Sequence, residues 1–276
     1  MVDGGHEPPS DDGALAAWLA DGAGRLLLEL RERFGFEDPD ALRQAGDRHS
    51  HELLMTALRR WRPDDAVLSE EGNAPTKPRL TAERVWIVDP LDGTQEFGEP
   101  GRTDWAVHVT LWTRERGLCA GAVALPALGR VYSTAAPPAR PPSRPDRRLR
   151  LVVSRSRPPG FAADLAEALD AELIPMGSAG AKVCAVLAGA ADGYVHAGGQ
   201  YEWDSAAPVA VALAAGFVAS RANGGALTYN QPDPTLPDLV VCQPEIAAPL
   251  FAELTHLLGG DAGAVVPDQS MTWSRA

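Results

Sequence analysis

Cysteine is scarce in this 276-residue chain, and basic residues are outnumbered. Its three cysteines, Cys119, Cys184 and Cys242, are odd in number, far apart and set among apolar residues. That spacing excludes a disulfide framework and a Cys/His zinc site, and it points to buried thiols in a reducing compartment. Lys and Arg total 25 against 37 Asp and Glu, a formal net charge of −12. Affinity for a nucleic-acid backbone needs clustered cations, so nucleic acid is not an expected partner. No apolar run reaches the ~18–20 residues that span a bilayer. Met1 to Asp12 is acidic and Gly/Pro-rich, without the basic and apolar regions of a signal peptide. A soluble, cytoplasmic protein is expected. His49, His51, His108 and His196 lack ligand-like spacing and are expected to be structural or surface residues. No internal repeat is present.

What the chain does have is apolar periodicity, with 45% hydrophobic residues, enough for a substantial core. Ala14 to Arg33 carries helical spacing, and a second helix is expected after Gly46. Ala66–Ser69 and Val85–Val88 read as strands, followed by antiparallel strands near 105–113, 118–125 and 129–134. Residues 136–148 are Pro/Arg-rich without apolar periodicity, and read as a linker. They divide an N-terminal half, 1–135, from a C-terminal half, 149–276, within one catalytic unit. In the C-terminal half, strands at Leu149–Val153, Leu173–Ile174, Gly193–His196, Phe217–Ser220 and Leu239–Cys242 alternate with helices. Those helices are expected at Phe161–Leu169, from Lys182, at Asp204–Ala215 and at Ile246–Leu258. The fold class is α/β or α+β, in packed layers.

Asp47, Glu70, Asp89, Asp92 and Asp204 stand at ends of apolar segments or near helix starts. A carboxylate there is costly unless paired, hydrogen-bonded or bound to a cation. Converging carboxylates repel one another, and a hard divalent cation such as Mg²⁺ removes the conflict. In Asp89-Pro90-Leu91-Asp92-Gly93-Thr94, Pro90 stiffens the turn and removes a donor. Asp89 and Asp92 can then converge with the Leu91 carbonyl between them. Gly93 permits close backbone approach, and Gly93-Thr94 would open a short helix with free N–H groups for a phosphate. Taken alone, the segment is also compatible with an ordinary β-turn capped by its aspartates.

Three segments in order change that balance: Leu68-Ser69-Glu70-Glu71, Trp86-Ile87-Val88-Asp89-Pro90-Leu91-Asp92-Gly93-Thr94, and Glu202-Trp203-Asp204-Ser205-Ala206-Ala207. Together they resemble the inositol monophosphatase superfamily, over about Ala14 to Leu258. The resemblance implies a five-layered αβαβα sandwich and a phosphomonoesterase using two or three Mg²⁺ ions, commonly Li⁺-inhibited and homodimeric. It assigns Glu70, Asp89 and the Leu91 carbonyl to a first metal, and Asp89, Asp92 and Asp204 to a second. It makes Glu71 the acid that orients the attacking water, and Asp47 with Thr94 the dyad that helps activate it. Asp47 follows Ala45-Gly46 here, where the family usually has Thr-x-x-Asp. Water then attacks phosphorus in line, with no phospho-enzyme.

Gly177-Ser178-Ala179-Gly180-Ala181-Lys182 resembles the lysine-bearing motif of the 3′(2′),5′-bisphosphate nucleotidase (CysQ-type) branch. Lys182 can pair with the phosphate that is not cleaved, or face solvent. The segment Tyr194 to Gln200 has no Glu where inositol monophosphatases hold inositol hydroxyls. Ser154-Arg155-Ser156 and Tyr229-Asn230-Gln231 also resemble that branch, with Arg155 on a phosphate or a base. The expected substrate contacts are Gly93, Thr94, Arg155, Ser178, Lys182 and Asp204. The implied reaction is adenosine 3′,5′-bisphosphate to AMP and phosphate, with 3′-phosphoadenylyl sulfate as a further substrate, in sulfur assimilation. Inositol-1-phosphatase and fructose-1,6-bisphosphatase are the alternative activities. A catalytically dead metal or phosphate binder is the rival from another class.

Overall fold

The computed structural model describes residues 7–72, 76–142 and 147–259. The first six residues of the leading acidic segment, residues 143–146 of the expected linker and residues 260–276 of the C-terminal half lie outside the described residues. The chain begins with α1 (Asp12–Phe34), α2 (Pro39–Trp61), β1 (Ala66–Ser69), α3 (Thr76–Thr81) and β2 (Arg84–Asp92). Next come α4 (Thr94–Phe97), β3 (Ala106–Thr113), β4 (Gly117–Leu125) and β5 (Arg130–Ser133). The second half is β6 (Leu149–Ser154), α5 (Ala162–Ala168), β7 (Ala171–Met176), α6 (Ala179–Leu187) and β8 (Gly193–Tyr201). It closes with α7 (Glu202–Ala214), β9 (Val218–Ser220), β10 (Thr235–Cys242) and α8 (Pro244–Leu257).

Two five-stranded sheets result, ordered β1-β2-β3-β4-β5 and β7-β6-β8-β10-β9. β2 pairs parallel with β1 and antiparallel with β3. Its side chains alternate between two apolar layers, as the strand period of two requires. Trp86 and Val88 pack with Leu15, Leu19 and Leu54 of α1 and α2. Val85 and Ile87 pack on the opposite face with Val183, Val209 and Val211 of α6 and α7. Those helices also meet Tyr194 and Val241 of the second sheet. The outer face of that sheet buries Leu151 and Val240 against Leu165, Leu250 and Phe251 of α5 and α8. The order of layers is therefore αβαβα, as the sequence resemblance implies. Among the described residues no helix is long and apolar enough to cross a membrane.

Several boundaries differ from expectation for identifiable reasons. α2 begins at Pro39, not after Gly46, because the Asp38 side chain accepts the Ala41 N–H and Pro39 opens the first turn. Gly46 lies inside this helix, where space requires a glycine, since a Cβ there would press on Phe97 and Leu91. β2 continues through both aspartates of its motif, with a register shift between Asp89 and Asp92. A bulge of this kind re-aims side chains without ending the strand. Cys184 and Cys242 are buried and Cys119 is half-buried, all three free, and burial raises their thiol pKa values.

Candidate active site

The bulge in β2 is the centre of the site. Asp89 is 1% exposed, and its Oδ1 accepts the Leu91 N–H at 3.0 Å across Pro90. The Ser50 hydroxyl donates to the Pro90 carbonyl at 2.7 Å and holds the turn from α2. Asp92 Oδ2 accepts from the Ser178 hydroxyl at 2.5 Å and the Gly180 N–H at 2.7 Å, and lies 3.2 Å from His108 Nε2. Asp204, in the first turn of α7, accepts the Tyr201 N–H at 2.6 Å. Oxygens of Asp89, Asp92 and Asp204 all lie within 4.8 Å of one another. The Glu70 N–H donates to the Val88 carbonyl at 3.3 Å, which docks the end of β1 beside the cluster. Glu70 is exposed as a residue, but its carboxyl is turned onto Asp89.

The electrostatics show four acids in conflict. Burial, then the charges of Glu70, Asp92 and Asp204, push Asp89 well above the usual carboxylate range. Burial pushes Glu70 up to about 7, with Asp204 and Asp92 adding to it. Burial and Asp92 push Asp204 up to about 6. Burial also opposes the Asp92 charge, but His108, Lys182 and Ser178 outweigh it and hold Asp92 at about 2. An all-oxygen set of mutually repelling carboxylates around an open cavity is the donor set that fits a hard divalent cation.

That cavity has a volume of about 330 Å³ and brings together nine of the expected residues: Glu70, Asp89, Leu91, Asp92, Gly93, Thr94, Ser178, Lys182 and Asp204. Thr94 Oγ1 lies 3.0 Å from the Leu91 carbonyl and 3.3 Å from Asp47 Oδ1, and its proton can serve either acceptor. Asp47 thus reaches the site through Thr94. Burial, then the Glu71 charge, raise Asp47 to about 6. Gly93 has φ +86°, and a Cβ there would crowd the Asp104 carbonyl, Ser178 and Trp105. The helix it opens, α4, is a single turn. It offers free amides more than a macrodipole.

Lys182 is 4% exposed, which overturns the solvent-facing alternative. Its Nζ donates to the Gly177 and Ser178 carbonyls at 3.0 and 2.8 Å and lies 5.2 Å from the Tyr194 ring centre. Burial lowers its pKa, while Asp92, Glu96, Asp104 and Asp204 raise it. The glycines of its motif are fixed by space, since a Cβ at Gly177 would overlap Glu96 and one at Gly180 would overlap His108 Nε2.

Two sequence expectations require correction. The Arg155 guanidinium does not line the cavity. It is held by Glu96 at 2.7 Å and Glu99 at 2.8 Å, so its charge is already matched. Arg157, two residues on and exposed, lines the cavity in its place. Tyr229-Asn230-Gln231 does not line it either. Glu202 accepts the Asn230 and Gln231 N–H groups at 2.6 and 2.7 Å, and Arg79 donates to Asn230 Oδ1 and the Gln231 carbonyl at 2.8 and 2.7 Å. Tyr229 and Gln231 border a separate cavity of about 560 Å³. His108 is the residue that sequence reasoning undervalued. It is wholly buried, with Nδ1 3.0 Å from the Trp203 carbonyl, and it ties Asp92 to the start of α7.

Comparison with known proteins agrees with this geometry. The sequence profile described as the inositol monophosphatase family matches residues 19–257. The chain belongs to the inositol monophosphatase family. As a member it is a phosphoric monoester hydrolase. A Mycobacterium leprae protein named 3′-phosphoadenosine 5′-phosphate phosphatase is 53% identical over 257 residues, covering 89% of this chain and 94% of that one. The Escherichia coli K12 protein named 3′(2′),5′-bisphosphate nucleotidase CysQ is 31% identical over 202 residues, 67% of this chain and 78% of its own. The crystal structure of CysQ from Bacteroides thetaiotaomicron superposes with a TM-score of 0.69 at 28% identity, over 83% of this chain and 96% of that one.

Proposed function

We propose that this family member is a Mg²⁺-dependent 3′(2′),5′-bisphosphate nucleotidase. It would convert adenosine 3′,5′-bisphosphate to AMP and phosphate, and act on the 3′-phosphate of 3′-phosphoadenylyl sulfate. The observation that carries this reading is the polarity of the cavity, where Glu70, Asp89, Asp92 and Asp204 share the space with the cations Lys182 and Arg157. A monoester needs only the metal-binding side, whereas a second phosphate gives the two cations a partner. The names of the mycobacterial and CysQ relatives support the same substrate. Two or three metal ions, Li⁺ inhibition, a homodimer, a cytoplasmic location and a place in sulfur assimilation belong to the same reading.

Glu70, Asp89 and the Leu91 carbonyl would hold one metal ion, and Asp89, Asp92 and Asp204 another. When bound, Mg²⁺ supplies Lewis-acid activation of water and neutralises phosphate charge. The protein contributes the rest. Thr94 Oγ1 can accept a hydrogen bond from the attacking water while its own proton points to Asp47 Oδ1 or the Leu91 carbonyl. Asp47, raised to about 6, can take up a proton near neutral pH, with Glu71 helping to orient the water. Gly93 and Thr94 amides would hold a phosphate oxygen, an electrostatic contribution that needs no rearrangement during reaction.

The direct test is phosphate release with Mg²⁺ on three substrates. Adenosine 3′,5′-bisphosphate should exceed inositol 1-phosphate, which lacks a second phosphate, in kcat/KM by about tenfold or more, the value of one charge-assisted contact, and should also be preferred to fructose 1,6-bisphosphate. Preference for either sugar phosphate, or full activity in EDTA, would reject the reading. Lys182→Ala should narrow the preference for adenosine 3′,5′-bisphosphate over inositol 1-phosphate by about tenfold. Equal losses on all three substrates would assign Lys182 to bracing the Gly177-Ser178 carbonyls alone.

A further inference from the structure

One wall of the cavity is unused by the phosphate chemistry. It is built by the end of β8, where Gly198 and Gly199 adopt φ +108° and +84° and the chain then re-enters strand pairing with β10. Gln200 is 7% exposed and lines the cavity, and its buried Nε2 has no hydrogen-bond partner among the described residues. A buried amide donor left unpaired is costly, and it marks a place where a ligand can supply the acceptor. The next residue, Tyr201, is 46% exposed and also lines the cavity. Its ring is stacked on Trp203, with centroids 4.6 Å apart and planes 10° from parallel. Trp203 stays behind it, half-buried against the central apolar layer. The Tyr201 N–H is bonded to Asp204 Oδ2, so this aromatic wall is fixed directly beside the carboxylate cluster.

We infer that Gln200 and Tyr201 form an adenine subsite, with the Tyr201 ring as the stacking surface and the Gln200 amide reading the edge of the base. The inference rests on the nucleotidase reading and specifies it further. A tyrosine already stacked on its rear face presents its ring without losing side-chain freedom on binding. A glutamine amide matches the adenine N6/N7 edge as acceptor and donor together, which a 6-oxopurine cannot satisfy. It also gives the base a binding place that neither Arg155 nor Tyr229-Asn230-Gln231 supplies, because those residues are engaged elsewhere.

The test compares adenosine 3′,5′-bisphosphate, inosine 3′,5′-bisphosphate and base-free ribose 3,5-bisphosphate on the full chain with Mg²⁺. In Tyr201→Ala, the adenosine-to-ribose ratio of kcat/KM should fall about ten- to a hundredfold, mainly through KM, and Tyr201→Phe should restore it. In Gln200→Met, the adenosine-to-inosine ratio should fall about tenfold without loss of Tm, since the orphan donor is removed with its side-chain volume kept. An unchanged adenosine-to-ribose ratio in Tyr201→Ala, with the wild type active on adenosine 3′,5′-bisphosphate, overturns the subsite and leaves the nucleotidase reading standing. A wild type that prefers the base-free substrate overturns both. A Tyr201→Ala loss confined to kcat and equal on all three substrates would mean that Tyr201 acts by positioning Asp204, and overturns the subsite as well.

Discussion

Asp89→Asn is expected to abolish phosphate release and, in EDTA, to raise the Tm. Asp89 would be a ligand to both metal ions, so its loss removes several kcal/mol of transition-state stabilisation, about a thousandfold in rate or more. The same residue is buried among Glu70, Asp92 and Asp204, all of which raise its pKa or have theirs raised beside it. Asparagine keeps the 3.0 Å hydrogen bond from the Leu91 N–H, because Oδ1 still accepts, and removes the charge. Relief of about 1 kcal/mol would shift Tm by roughly 2–4 °C. Mg²⁺ should stabilise the wild type by mass action and the variant far less. The pH dependence has the same origin. Glu70, raised to about 7 from 4.5, and Asp204, raised to about 6 from 3.8, hold protons more tightly folded than unfolded. Their contribution is therefore present at low pH and is lost as pH rises through those values, so the metal-free protein should weaken between about pH 4 and 7. Calorimetry in EDTA and in Mg²⁺, with a phosphate-release assay beside it, checks all of this. A lower Tm for Asp89→Asn in EDTA, or activity within tenfold of wild type, would reject the account.

Gly180→Ala is the second large effect. Helix propensity alone favours alanine by about 1 kcal/mol. Space decides against it, because the new Cβ would overlap His108 Nε2. That ring is wholly buried and anchored through Nδ1 to the Trp203 carbonyl, so α6 must withdraw instead. Withdrawal takes the Gly180 N–H and the Ser178 hydroxyl away from Asp92. We expect a loss of about 1–3 kcal/mol in stability from overpacking and of about 10- to 100-fold in activity from a misplaced carboxylate. Gly160→Ala, where a Cβ meets nothing within 4 Å, is the control and should stay within about 0.5 kcal/mol. Urea melts of the two variants with parallel phosphate-release assays distinguish them. Equal behaviour would show that the site tolerates movement of α6.

The cluster of acids was legible in sequence because three separated segments, around Glu70, Asp89 and Asp204, together resemble one family. An apolar strand ending in Asp89-Pro90-Leu91-Asp92, taken alone, also fits a turn capped by its aspartates. Packed layers were legible from alternating strands and helices, and the order αβαβα from the family resemblance. What escaped was set by long-range partners. Nothing near Arg155 tells that Glu96 and Glu99 will meet it, and nothing near Tyr229 tells that its neighbours serve Glu202 and Arg79. The orphaned Gln200 amide is visible only after β8 and β10 pair. The true start of α2 was readable from Asp38-Pro39, but the polar stretch Arg43-Gln44 and Arg48-His49 obscured its periodicity.

The shared middle layer has a consequence for biosynthesis. α7 covers the inner face of the first sheet and also packs under the second. Every expected metal ligand but one is made by residue 92, yet the helix that shields them begins at Glu202 and its Glu202–Arg79 network closes only at Gln231. A nascent chain therefore carries unshielded acids through about half of its translation, from residue 92 to Gln231, and an open apolar sheet from Ser133 until α7 is made. Such a chain is a natural client for chaperones, and early binding of a divalent cation would quieten the acids before the rest of the protein exists.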